Sequence, residues 1–243
     1  MTSKIAWVAA GGLGIGIAAL SLAYVLSGDE LRRFVGRESA FGPSCRGDDT
    51  KAGDKPGTGR PERRWMWDGG DTVDIALPAN VHYRSGDGAE VIVRGPADAV
   101  ANVRINGGRI SSDCVRLFGS GDVDITLPGR VFKGVSISGS GHVVMDKVAQ
   151  PALAVRISGS GSLRAQGTTD QVTVSIAGSG RARLADLATK QLTVDISGSG
   201  NLEAVPQDVA DVRISGSGNV RLLSRPATLR SQTSGSGRIT TGP

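Results

Sequence analysis

Serine recurs in this sequence in one fixed setting, Gly-Ser-Gly, and a repeated exposed hydroxyl is the first feature that could do chemistry. A serine nucleophile needs a base, and His82 and His142 are the only imidazoles in the chain. No Gly-x-Ser-x-Gly elbow is present, so the signature of a serine hydrolase is missing. Carboxylates are the second candidates. Asp122 and Asp124 sit two residues apart on one strand face, while Asp146, Asp186 and Asp195 fall at different points of their repeats. A glycosidase needs two carboxyls facing each other across a sugar at about 5–9.5 Å, and no aligned pair stands in neighbouring repeats. The glycine-rich stretches contain no Gly-Lys-Ser/Thr, which removes a phosphate loop. Gly12-x-Gly14-x-Gly16 lies inside an apolar segment and opens no dinucleotide fold. Nothing has metal-ligand spacing. The expectation is therefore no catalytic residues, no metal and no cofactor.

Arginine is the more promising residue type. In successive repeats one outward position reads Val144, Arg164, Arg183, Glu203, Arg221, Thr240, and its neighbour reads His142, Ser162, Arg181, Asn201, Asn219, Arg238. Stacked at the usual strand spacing of about 4.8 Å, Arg164 and Arg183 repel unless an anion sits between them, whereas Glu203 can pair with Arg183 and Arg221. The plain reading is a solvated, edge-protecting face. The sharper one takes Arg164, Arg181, Arg183, Arg221 and Arg238 as a basic ladder for anionic envelope glycan or lipid headgroups, through forked guanidinium contacts. Nucleic acid is not expected as a partner, because aromatic residues are not interleaved with the basic positions.

Such columns exist only if the repeats stack. Gly-Ser-Gly starts at positions 119, 139, 159, 178, 198, 216 and 235, at steps of 18 to 20 residues. The best copies are Gly139-Ser140-Gly141, Gly159-Ser160-Gly161, Gly178-Ser179-Gly180, Gly198-Ser199-Gly200 and Gly216-Ser217-Gly218. Before each, apolar residues alternate with polar ones, as in Val135/Ile137 and Val194/Ile196. After each the alternation continues, as in Val143/Met145 and Leu202/Ala204. A period of two is the strand signature, and the shared parity puts both glycines of each triplet in inward slots, with the serine outward or capping the bend. A unit this short cannot bury enough surface alone, so coils must pile up with parallel pairing. The expected fold is all-β, a parallel β-helix or β-solenoid of about 19–20 residues per coil. Helical repeats and propeller blades fit neither the period nor the glycine content.

The composition agrees: 36 glycines and few aromatics (Trp 3, Tyr 2, Phe 4) suit a slim aliphatic interior, and the net charge of +5 is a mild bias towards anionic surfaces. Residues 5–26 carry no charge, a run long enough to cross a hydrocarbon core of about 30 Å. This predicts a transmembrane anchor over residues 1–28, with a long signal peptide cleaved near Ser21-Leu22-Ala23 as the alternative. Either way the rest of the chain is expected to be exported: anchored in the inner membrane facing the periplasm or outside, or secreted after cleavage. Residues 29–64, rich in charge, glycine and proline, read as a flexible linker. Cys45 and Cys114 fit no metal spacing and are candidates for a disulfide worth roughly 4 kcal/mol in the chain-entropy picture.

The solenoid is expected over residues 65–241, with irregular coils at 65–130 and regular ones at 131–241. In the irregular part, strands are expected at Thr72–Leu77, Val81–Tyr83, Glu90–Val93, Val103–Ile105, Cys114–Leu117 and Val123–Leu127, with the larger aromatics closing the apolar channel. The last coil is weak, because Thr233 and Thr241 occupy apolar slots.

The order of Asp-Thr-Val-Asp-Ile, Gly-Ala-Glu-Val-Ile-Val-Arg, the turn Arg104-Ile105-Asn106-Gly107 and the repeated Ile-Ser-Gly-Ser-Gly resembles the head GIN domain family of putative auto-transporter adhesins, over about Trp65 to Gly237. The resemblance implies a β-helical, exported, non-enzymatic domain and supplies no catalytic residues. No set of membrane strands for an autotransporter barrel is visible in the sequence. The functional expectation is a membrane-tethered solenoid presenting a surface for adhesion or ligand binding in the bacterial cell envelope. The alternatives are a scaffold self-associating through its last coil, and a polysaccharide-cleaving β-helix enzyme.

Overall fold

A computed structural model describes residues 61–86, 88–114 and 123–242. The predicted anchor at 5–26, most of the predicted linker, Cys45 and Asp122 lie outside the described residues, as does the first Gly-Ser-Gly copy. The chain divides into units Met1–Arg46 and Gly47–Pro243, and every described residue belongs to the second. Among the described residues, no helix is long and apolar enough to cross a membrane.

The second unit is an all-β solenoid. Its regular part consists of β8 (Gly134–Gly139), β9 (His142–Gly159), β10 (Ser162–Gly178), β11 (Arg181–Gly198), β12 (Asn201–Gly216), β13 (Asn219–Leu222), β14 (Thr228–Gly235) and β15 (Arg238–Thr241). All of these pair in parallel, and the long strands run round a corner, so each contributes to two ladders. The first ladder takes the residues after each Gly-Ser-Gly and continues through β13 and β15. The second takes the residues before it and continues through β14.

In-register stacking turns the alternation of the sequence into columns of like side chains. Ile137, Ile157, Ile176, Ile196 and Ile214 lie one above another, and all are buried. On the first ladder each coil pairs one large residue with one small: Leu163 with Ala165, then Ala182 with Leu184, then Leu202 with Ala204. Large and small exchange places from coil to coil, so the stacked layers interdigitate.

The two glycines of each triplet do different work, which corrects the expectation that both point inward. The second, Gly141, Gly161, Gly180, Gly200 and Gly218, is buried, and at Gly180 a Cβ would meet Ile157 Cγ2 at 2.5 Å. The first, Gly139, Gly159, Gly178, Gly198 and Gly216, is not buried and holds φ between +102° and +120°. At Gly159, Gly178, Gly198 and Gly216 a Cβ would strike the carbonyl oxygen of the preceding coil's glycine, at 2.6 Å for Gly198, whereas at Gly139 it would meet nothing. The intervening serines are exposed. Their amides donate to that same carbonyl, as Ser199 N does to Gly178 O at 2.9 Å, so the bend satisfies its own backbone.

The opposite corner absorbs the differences in coil length. Every register shift among the long strands falls between the ladders: an extra residue at Lys147, which takes φ +56°, then shifts between Arg164 and Gln166, between Leu184 and Ala188 and between Thr189 and Gln191. A buried polar column, Gln150, Thr169 and Thr189, holds this corner. Gln150 Nε2 donates to Phe132 O and Ala152 O, both at 2.8 Å, and Thr189 Oγ1 to Gln191 O at 3.1 Å.

The N-terminal part caps the stack with strands of mixed direction. β1 (Glu62–Met66) and β7 (Asp124–Thr126) both pair antiparallel with β4 (Glu90–Arg94), and β7 hands the first ladder to β3 (Asn80–Arg84) in parallel. On the second ladder, β5 (Val103–Asn106) and β6 (Arg109–Ser112) form an antiparallel hairpin that pairs through β6 with β2 (Thr72–Ala76) and then β8. A short helix, α1 (Ala97–Asn102), buries Ala99 and Val100 in a stretch where no helix is expected from the residue pattern. β1 takes in Glu62, Arg63 and Arg64 from the stretch read as linker, held by Glu62 contacts to Arg64 and Arg94. Phe132, fully buried, packs edge-on against Trp67 and Tyr83 with centroids at 5.3 and 5.6 Å, which closes the channel with aromatics as expected. Burial pushes the Tyr83 phenol above its ordinary value, partly offset by a hydrogen bond with Ser85.

Candidate ligand-binding faces

The outward columns predicted for the first ladder are present in register. Val144, Arg164, Arg183, Glu203, Arg221 and Thr240 form one, and His142, Ser162, Arg181, Asn201, Asn219 and Arg238 the other. The parity that buries Leu163, Ala182, Leu202 and Val220 puts these side chains outside.

Their chemistry differs from arginine to arginine. Arg164 does not stand against Arg183 as an uncompensated pair, because its Nη2 donates to Asp186 Oδ2 at 2.6 Å. The extra residue of that coil sets Asp186 opposite Gln166, within reach of Arg164. Glu203 lies in register between Arg183 and Arg221 yet makes no ion pair with either. Arg181, Arg183, Arg221 and Arg238 are exposed and have no carboxylate partner among the described residues. Arg221 and Arg238 border a shallow depression of about 250 Å3 floored by Asn201, Asn219 and Glu203. Asn219 Nδ2 donates to Asn201 Oδ1 at 3.2 Å, the start of an amide ladder.

The candidates for catalysis are engaged elsewhere. Asp124 Oδ1 accepts from Asn80 at 3.2 Å. Asp146 Oδ1 accepts from Gln166 at 2.6 Å and its other oxygen lies 3.9 Å from Arg84. His142 Nδ1 hydrogen-bonds the Ser162 hydroxyl at 2.7 Å, a contact invisible in the sequence because it joins residues 20 apart that stacking makes neighbours. That pair lies exposed on an open sheet, and among the described residues no third group orients the imidazole. Among the described residues no cluster of three or more His, Cys, Asp or Glu could hold a metal ion. Cys114 is buried.

Elsewhere charges pair across coils. The Arg64 and Arg94 guanidiniums hold the Glu62 carboxyl below its ordinary value, and Lys133, at 2.8 Å, does the same to Asp71. Asp170, at 2.8 Å, holds the Lys190 ammonium above the usual lysine value. These exposed pairs fix register more than they stabilise.

Comparison with known proteins places this architecture. The solved structure of a putative adhesin from Bacteroides fragilis NCTC 9343 superposes with a TM-score of 0.62 at 18% identity, over 78% of this chain and 100% of that one. A putative lipid binding protein from Parabacteroides distasonis ATCC 8503 matches at a TM-score of 0.48 and 16% identity, over 76% of this chain and 98% of that one. A putative adhesin from Parabacteroides merdae ATCC 43184 matches at 0.45 and 14%, over 76% and 97%. At such identities the likeness is one of fold, carried by the first. No curated protein matches the sequence. The family match runs over residues 71–226, from β2 of the cap through β13, and by it the chain belongs to the family described as putative auto-transporter adhesin, head GIN domain.

Proposed function

We propose that this chain is an exported, membrane-tethered, non-catalytic adhesion module that binds anionic envelope glycan or lipid headgroups through the arginines of its first ladder. The observation that carries the reading is the set of exposed guanidiniums at Arg181, Arg183, Arg221 and Arg238, in register and without carboxylate partners among the described residues. Arg164, bound to Asp186, contributes to the positive field and not as a free fork. Membership of an adhesin family supports export and surface display. Tethering through residues 5–26 and pairing of Cys45 with Cys114 belong to the same proposal and rest on the sequence.

Retention of the full chain on an immobilised phosphate-bearing glycan free of uronate and on phosphatidylglycerol vesicles tests it. Arg181→Glu with Arg183→Glu should weaken retention at least about tenfold at low salt and leave the melting temperature unchanged, and the two supports distinguish glycan from lipid. Retention equal to that of the native chain on both supports overturns the reading. Glycan recovered without new reducing ends separates adhesion from cleavage.

A second reading, a scaffold built by end-on association, draws on the last coil. β14 is exposed along its whole length, Leu229 is 40% exposed, and β14 and β15 each pair on one side only among the described residues.

A further inference from the structure

The second ladder carries a hollow that the arginine columns do not share. Where the cap meets the first regular coils, a cavity of about 500 Å3 opens on its outer face. Its floor is a column of residues in register: Arg109, Asp74, Ser136, Arg156 and Ser175. Room comes from the adjacent column, where Gly134 and Ala154 present almost no side chain. Asp74, Ser136 and Ser175 are half-sheltered there, whereas Asp195 and Arg213, further along the same column, are exposed.

The floor is asymmetric in charge. Arg109 is neutralised by Asp74 Oδ2. Arg156, two strand steps from Asp74 at about 9–10 Å, is exposed and has no carboxylate partner among the described residues. Asp74 Oδ1 is buried without a hydrogen-bond partner, so the carboxylate keeps acceptor capacity that the protein leaves unused. The Asp74 side chain as a whole is 30% exposed, and a carboxylate oxygen carries two acceptor sites, so Oδ2 can take a second donor beside Arg109. Between the two ends stand the hydroxyls of Ser136 and Ser175, which donate or accept.

We infer that this hollow binds an acidic sugar, a uronate unit of an anionic polysaccharide. Its carboxylate meets the Arg156 fork, its ring hydroxyls meet Ser136 and Ser175, and one hydroxyl donates to Asp74. A bare anion would leave Asp74 without a donor and is repelled by its charge. A neutral sugar would leave Arg156 unanswered. The site lies on a different ladder from the arginine columns, so either can fail without the other.

Titration calorimetry of the full chain in a sugar-free detergent tests the site, with tri-galacturonate as the probe, tri-galactose as its uncharged counterpart and inorganic phosphate as a bare anion. Tri-galacturonate should bind at least about tenfold more tightly than either comparison. Arg156→Gln, an exposed change, should weaken it about tenfold or more, while Arg181→Glu with Arg183→Glu leaves it unaltered. Asp74→Asn raises the net charge of the hollow and should nevertheless weaken uronate binding. Tighter binding by Asp74→Asn, unchanged binding by Arg156→Gln, or phosphate equal to the uronate each overturns the inference. Should Asp74→Asn fail to fold, Arg156→Gln and the phosphate comparison decide it.

Discussion

At the scale of single residues, the Gly-Ser-Gly triplet is a division of labour that period alone could not reveal. Parity placed both glycines on the inner face, but parity is blind to the sign of φ, and the first glycine turns the chain through a left-handed conformation. Gly198, at φ +120° with a hypothetical Cβ 2.6 Å from Gly178 O, has no room for a side chain in either respect. Gly198→Ala should therefore cost about 2 kcal/mol or more in urea unfolding, whereas Ser199→Ala next to it, being exposed, should stay within about 0.5 kcal/mol. Equal effects of the two changes would refute the assignment. The arginines teach a similar lesson. Their columns were legible from spacing, but the capture of Arg164 by Asp186 was not, because it depends on a one-residue insertion that shifts Asp186 along the coil.

At the scale of elements, the regular strands were readable because each inward slot repeats with like character. The cap was not, since β4 runs antiparallel to both β1 and β7 and no periodicity encodes a reversal of direction. Only the larger aromatics of the irregular coils, Trp67 and Tyr83 among them, announced that the channel closes there; the Phe132 they pack against falls where regular coils were expected. Within the regular strands the exchange of large and small residues is a packing rule with a consequence. Ala182 sits between Leu163 and Leu202 in its column, fully buried. Ala182→Leu would set three leucines in a row, and overpacking of this kind costs about 1–3 kcal/mol. Denaturant midpoints measure it; an unchanged midpoint would mean the layers do not interdigitate.

For the molecule as a whole, the two ends of the stack differ in kind. The N-terminal end is finished by antiparallel strands, a helix and an aromatic plug, while the last described coil replaces isoleucine and leucine by Thr233 and Thr241 and leaves Leu229 partly bare. If end-on association occurs, sedimentation of the full chain in detergent should show mass rising with concentration, and Leu229→Asp should suppress the rise. A constant mass across the range rules it out. The corner at Lys147 carries a different implication. Each coil there differs from the next by as much as three residues locally, and both ladders nevertheless keep their registers. That corner is therefore a natural grafting port. A peptide tag or epitope spliced beside Lys147 would project as a loop, whereas the same splice at a glycine bend would break a ladder that admits no change of length.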